Sequence, residues 1–342
     1  MNPGLTVKLR PTRPWRIGPD SGARNQVDVV YHSDSLYSAV TSALERLGSL
    51  DDWLSATARN GAPAVWFGSC FPFIEEADFV VPPRTVWPPA APALLAARVR
   101  WKSARFVPLG VVRAVVAGEG LDENRWAVDG PSGCLVPTGC LGPFRMGVRW
   151  NAAVDRLAGT SERHSTACLE FRSGAGLWTV VSFADDRARE RWLEPVKAAF
   201  RLLADSGFGG ERSRGWGRSE TPDFREGGLP EMILGNGAQE PEDGRQGSGV
   251  GGQWLLSLFT PSPSDSVDWT RGSYTVVERG GRVESPAGSG ELKKNVQMVA
   301  EGSVLYASSG LRGSAPDVAP DGFAHPVFRA GFALAVPLPE AS

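Results

Sequence analysis

Residues 207–218 read Gly-Phe-Gly-Gly-Glu-Arg-Ser-Arg-Gly-Trp-Gly-Arg, five glycines interleaved with Arg212, Arg214, Arg218 and Trp216. Glycine reaches φ > 0 without steric cost, so the segment can turn sharply and let another backbone come close. Several amide N–H groups are left to point at one anion, and the arginine fork matches phosphate geometry two oxygens at a time. The chemistry this spacing allows is phosphate binding. Gly209 and Gly210 would give close approach and Arg212 and Arg214 would neutralise charge, with Ser213 between them in the same set. Trp216 offers either a base-stacking face, worth about 1–3 kcal/mol per base, or a lid over the core. A solvated arginine-bearing loop is the plainer reading of any glycine cluster, and the segment alone leaves both open.

Other candidates are spread along the chain. Ser33 and Asp34 precede an apolar stripe at helical spacing, where they can cap the helix or present polar groups to an anion at its N-terminus. Arg149 and Arg156 flank a stretch that reads as an arm, either a hairpin able to wedge between bases or an ordinary surface insertion. Lys293-Lys294 adds local charge, although a lysine pair is most often a solvated face. His32, beside Ser33-Asp34, is the one histidine placed as a candidate base for activating a ribose hydroxyl, but no partner acid is evident; a hydrogen-bonding core histidine is the alternative. Cys70, Cys134, Cys140 and Cys168 form no CxxC pair, and His32, His164 and His325 are far apart, so no metal site and no cofactor are expected.

These residues need elements to hold them. Leu5, Val7 and Leu9 alternate with Thr6, Lys8 and Arg10, predicting a strand. Leu36, Ala39, Val40, Ala43, Leu44 and Leu47 predict a helix that Gly48 ends. Val65–Phe73 and Asp78–Val81 read as short strands, 94–99 as helical, and 111–116 as either state. The stretch 130–147 reads as loop. The arm spans about 149–172 with a polar tip at 161–165. Leu177–Ala184 predicts a strand, and Asp185-Asp186 start a helix burying Trp192, Val196, Ala199, Phe200 and Leu203. A last strand is expected near 218–224. The sum is a β-α-β-β-α-β outline, ferredoxin-like with insertions, over 1–225. The glycine-rich acidic stretch 226–252 reads as a disordered linker, and 253–342 as a smaller, strand-dominated domain.

The balance of 36 Lys+Arg against 38 Asp+Glu gives a net charge of −2. Any nucleic-acid surface must therefore come from local clustering. No apolar run is long enough to span a membrane and no leader pattern opens the chain, so a cytoplasmic protein with no membrane partner is expected.

The glycine loop following the second helix resembles the hallmark loop of the RAMP proteins of CRISPR systems. Ser33-Asp-Ser-Leu-Tyr-Ser-Ala-Val40 resembles the first-helix motif of their Cas-five group, and Arg149 through Asp155-Arg156 to Thr160 its thumb hairpin. Lys293-Lys294 with Met298-Val-Ala-Glu-Gly-Ser-Val304 resembles its C-terminal motif. His325-Pro-Val-Phe328 before 331–338 resembles the chain end of that group's type III-A member. The resemblance implies an α+β chain of two ferredoxin-like (RRM-type) domains with a projecting thumb. It implies a non-catalytic subunit of a type III, most simply III-A, effector in antiviral defence. That subunit grips the 5′ repeat-derived handle of the crRNA, docks the large palm-domain subunit and a backbone RAMP subunit, and meets target RNA only indirectly. The enzymatic alternative is a metal-independent endoribonuclease that processes repeat RNA.

Overall fold

A computed structural model describes residues 2–19, 22–59, 61–89, 100–154, 159, 161–235, 251–285 and 288–339. β1 (Asn2–Leu9) buries Leu5, Val7 and Leu9 completely, as the alternation requires. After a long loop, α1 (Ser33–Arg46) buries Leu36, Tyr37, Val40, Ala43 and Leu44. Gly48 follows at φ 77°, and Leu47, expected on the buried face, lies past the last turn and is 46 % exposed. The helix starts at Ser33 itself, with His32 in the N-cap position, so Ser33 and Asp34 lie inside its first turn, where Asp34 Oδ1 accepts from the Ser35 N–H at 2.7 Å.

The chain continues through α2 (Leu50–Ala56), β2 (Val65–Phe67), β3 (Phe71–Ile74), β4 (Ala77–Val80), β5 (Val107–Pro108), α3 (Leu109–Val116), β6 (Trp126–Asp129) and β7 (Cys134–Pro137). β8 (Phe144–Val154) and β9 (Ser161–Phe171) pair along their full length as a ribbon. β10 (Ala175–Phe183), α4 (Asp186–Ser206), β11 (Asp223–Leu229) and α5 (Glu231–Leu234) complete the first unit. α4 buries every residue the spacing selected, and the Asp185 side chain caps it by accepting from the Ala188 N–H at 2.7 Å.

The main sheet has the antiparallel order β11-β1-β10-β3-β4-β5, with β2 on the far end of β10. β10 is buried at every position, which is why it reads as a nearly unbroken apolar run. α1 and α4 pack together, and α4 also meets Trp53 of α2 through Trp192 at 5.2 Å and Phe67 of β2 through Phe200 at 6.4 Å.

Two expectations are corrected. The stretch from Glu226, read as linker, begins inside β11, whose ladder with β1 runs from Asn2↔Leu229 to Lys8↔Asp223. β11 is a sheet edge carrying Gly227 and Gly228, and an edge strand with an exposed outer face shows little apolar signal. α5 (Glu231–Leu234), with Ile233 buried, falls in the same stretch, while 236–250 and the expected helix at 94–99 lie outside the described residues. The arm also starts earlier than 149: β8 opens at Phe144 and 161–165 is strand rather than tip, because pairing with a partner strand overrides a polar, glycine-bearing sequence.

The second unit comprises β12 (Gln253–Leu255), β13 (Val267–Ser273), β14 (Val276–Arg279), β15 (Arg282–Ser285), β16 (Gly288–Leu292), β17 (Val296–Val299), β18 (Val304–Ala307), β19 (Gly313–Ser314), β20 (Gly331–Phe332) and β21 (Ala335–Pro337). β13-β18-β12-β21 form a sheet, and β14-β17 and β15-β16 form hairpin-like pairs. Its described residues include no helix, whereas the ferredoxin-like unit expected there needs two. The two units also share one apolar core, in which Trp254, Leu256, Phe332 and Leu334 pack with residues of the first. The seam is sealed by Ser69 N–H donating to the Leu256 carbonyl at 2.8 Å and by Trp254 Nε1 donating to that of Val81 at 3.2 Å.

Candidate nucleic-acid interface

A cleft of about 660 Å³ opens where the 207–218 loop, α1 and the β14–β16 region converge. The loop wall is built by glycine geometry. Gly207 at φ 78° ends α4, and Phe208 inserts into the core with its ring 4.5 Å from Trp15 and 5.1 Å from Tyr31. Gly209 follows at φ 86°; a Cβ there would stand 2.6 Å from the Arg16 carbonyl oxygen. Gly210 N–H donates to that same carbonyl at 2.8 Å. The close approach that Gly209 and Gly210 allow is thus made by the chain's own Arg16 backbone. Arg16 is itself buried and donates to the carbonyls of Ala23 at 2.8 Å and of Arg24, Gln26 and Ala167 at 3.0 Å.

At the far end Gly217 has φ 77°, and a Cβ would lie 2.1 Å from the Phe208 carbonyl oxygen. Gly217→Ala is expected to lower the unfolding free energy by roughly 2 kcal/mol or more, since left-handed backbone and a backbone clash add. A urea melt with an unchanged midpoint would show that the loop relaxes freely.

Between these staples Arg212–Arg214 form an exposed 3-10 turn. Arg212 pairs across the cleft with Glu284 of β15, and Arg214 with Glu211 of its own loop at 3.2 Å. Ser213 is exposed on the same turn. Trp216 is only 8 % exposed, so stacking on a base would require it to leave its seat.

The floor is a buried charge cluster joining the two units. Asp34, on the first turn of α1, is held by Arg279 at 3.1 and 3.2 Å and by Arg329. Burial would raise its carboxyl, but the two guanidiniums hold it well below the ordinary carboxylate range. Ser33 is buried as well; its Oγ accepts from Leu258 N–H at 2.9 Å while its own N–H donates to Ser69 Oγ at 2.8 Å. His32 bonds through Nδ1 to Glu301 at 2.8 Å and through Nε2 to Asp28 at 3.3 Å. Burial pushes the imidazole down, yet Glu301 and Asp28 outweigh that and hold it up at about 9. At neutral pH it is a protonated, fully engaged group.

The cleft therefore gathers Asp34, Gly209, Arg212 and Lys293 from the residues singled out in the sequence, and adds Arg279, Arg282 and Arg329. Burial and the neighbouring Arg329 lower the Lys293 ammonium. Arg279-Gly-Gly-Arg282 was legible only as a turn between strands, and its flanking arginines were the available signal. Arg329, directly after the His325-Pro-Val-Phe328 motif, carried none. Lys294 points away and pairs with Asp321 at 2.7 Å. Arg149 sits on β8 paired to Glu170 and is not among the residues lining the cleft. Arg156 lies outside the described residues. Among the described residues no His/Cys/Asp/Glu group could hold a metal ion, and no helix is long and apolar enough to cross a membrane.

Residues 250–338 match the family model described as the CRISPR Csm4 C-terminal domain. No curated protein matches the sequence. Among solved structures, a chain from a Csm3–Csm4 subcomplex of the type III-A CRISPR-Cas interference complex is similar at TM-score 0.64 and 14 % identity. The match covers 98 % of this chain and 100 % of that one. A chain from a Csm1–Csm4 cassette in complex with cA4 is similar at TM-score 0.58 and 17 % identity, over 99 % and 100 %. The same cassette with pppApA gives 0.56 and 17 % over the same shares. At these identities the likeness is one of fold, and it extends over nearly the whole chain.

Proposed function

We propose that this chain, with its Csm4 C-terminal domain, is the subunit of a type III-A CRISPR effector that grips the 5′ repeat-derived handle of the guide RNA without cutting it. The observation that carries the RNA reading is the cleft, where the glycine loop brings Arg212 and the facing second unit brings Arg282 and the half-buried Lys293 to one opening over the buried Arg279 and Arg329. Single-stranded RNA held in a fixed shape needs such a track of cations along its backbone. The strand order β11-β1-β10-β3 is that of a β-α-β-β-α-β unit, which supports a ferredoxin-like, RRM-type design for the first unit. Docking of the large palm-domain subunit and of a backbone RAMP subunit is supported by fold likeness to chains of the Csm1–Csm4 and Csm3–Csm4 assemblies.

The non-cutting reading is favoured by the state of His32. A general base must be unprotonated and within reach of the hydroxyl, whereas this imidazole is buried, bonded on both nitrogens, and held up at about 9 by Glu301 and Asp28. That engagement speaks against His32 as the base of the endonuclease alternative.

The test is binding of the full chain to labelled guide RNA with an intact handle, beside the same RNA with the handle scrambled. The intact handle is expected to bind more tightly and to remain uncut. Arg212→Ala with Arg282→Ala is expected to weaken binding about tenfold and to reduce the salt slope by about 1 per lost phosphate contact. Affinity and slope unchanged in that variant would remove the cleft from RNA binding, and cleavage of the RNA would overturn the non-catalytic reading.

A further inference from the structure

Several of the cations singled out above are already engaged by carboxylates of the chain itself: Arg212 with Glu284, Arg214 with Glu211, Arg149 with Glu170 and Lys294 with Asp321. Three of these pairs lie within one unit: Arg214–Glu211 and Arg149–Glu170 in the first, Lys294–Asp321 in the second. Arg212–Glu284 differs, because it joins the loop after α4 to β15 in the second unit, and both residues line the cleft. The Glu284 side chain is 77 % exposed and that of Arg212 44 %. An exposed pair of this kind contributes little to stability and exchanges readily. A carboxylate offers a guanidinium the same two-oxygen face that a phosphate does.

We infer that Glu284 holds the place of an RNA phosphate at Arg212 and is displaced when the strand enters the cleft. The inference rests on the reading of the cleft as an RNA site. Its consequence is selectivity. A strand that offers only a phosphate to Arg212 exchanges one anion for another and must also approach the released Glu284 carboxylate. A strand that fills the cleft gains further contacts at Arg282 and Lys293. Specificity built from a repulsive element beside an attractive one is a general device.

The experiment is a double-mutant cycle on the full chain, read by binding of labelled guide RNA with an intact handle and of its scrambled counterpart at low and moderate salt. Glu284→Gln keeps the shape and removes the charge; because the side chain is exposed, the melting midpoint should not move. It is expected to tighten both RNAs at low salt, about tenfold for the scrambled RNA and about threefold for the intact one, and less at moderate salt. In an Arg212→Gln background the gain should largely vanish, because there is no cation left to release. A gain that persists undiminished in that background would reveal general repulsion and overturn the place-holding role. If Glu284→Gln changes nothing while Arg212→Gln weakens binding, the inference fails and the RNA site stands. If neither substitution changes binding, the reading of the cleft fails with it.

Discussion

Asp34→Ala is expected to lower the unfolding free energy by about 3–5 kcal/mol, the usual cost of leaving buried charge uncompensated. The Asp34 side chain is 1 % exposed and is the shared partner of Arg279 and Arg329, themselves 8 % and 7 % exposed. Removing the carboxylate leaves two guanidiniums facing each other at the seam, with Lys293 close enough to feel Arg329. Asp34→Asn should cost nearly as much, since it keeps the shape but not the charge. Because both units share one core, the loss should appear as a single cooperative shift of the urea midpoint rather than release of residues 251–339 alone. A loss below about 1 kcal/mol would put the cluster on the level of an exposed ion pair. Pairing the substitution with Arg279→Met and Arg329→Met should recover much of the loss, as apolar replacements of buried ion clusters often do.

The second large effect is a fall in stability on the alkaline side. The folded His32 imidazole is held up at about 9, against an ordinary 6.5. A raised folded value means that its stabilising contribution is fully present below about 6.5 and is lost as pH rises through about 9. The difference corresponds to about 3 kcal/mol at most. Glu301 is shifted the other way: burial alone would raise it, and His32 more than reverses that. Its contribution is present above the ordinary carboxylate range and is lost as pH falls. Thermal midpoints should therefore be highest near pH 5–6.5 and decline steadily toward pH 9. His32→Gln should lower the plateau and flatten the decline between 6.5 and 9. Above that window the buried thiol of Cys70, pushed up by burial, adds a further loss that the variant retains. An equally steep decline in the variant would assign the alkaline limb to other groups.

The stability prediction and the RNA proposal meet at one place. The same N-terminal turn of α1 that carries Asp34 brings Arg279 and Arg329 under the cleft. A variant that weakens RNA binding by loosening this floor would lose stability in proportion. Arg212 and Arg282, exposed on the walls, should separate the two effects.

The local elements were legible because they rest on period and on turn chemistry. The stripe from Leu36 to Leu44, the Trp192–Leu203 face with its Asp185 cap, the alternation of Leu5, Val7 and Leu9, and the glycine loop after α4 each depend on neighbours within a few residues. β11 and the β8–β9 ribbon were misplaced because what defines them is a partner strand far along the chain, and the lone sequence of an edge or a ribbon does not name its partner. The candidate residues divide the same way. Their types and spacing pointed to an anion-binding chemistry and drew attention to Ser33, Asp34 and Arg212. Burial decided the rest. Ser33 and Asp34 face inward because the second unit closes over the start of α1. Gly209 and Gly210 serve the Arg16 backbone because the loop folds onto it. Arg279 and Arg329 enter the site from more than two hundred residues away, because charge that leaves water must find its counter-charge wherever the fold brings it.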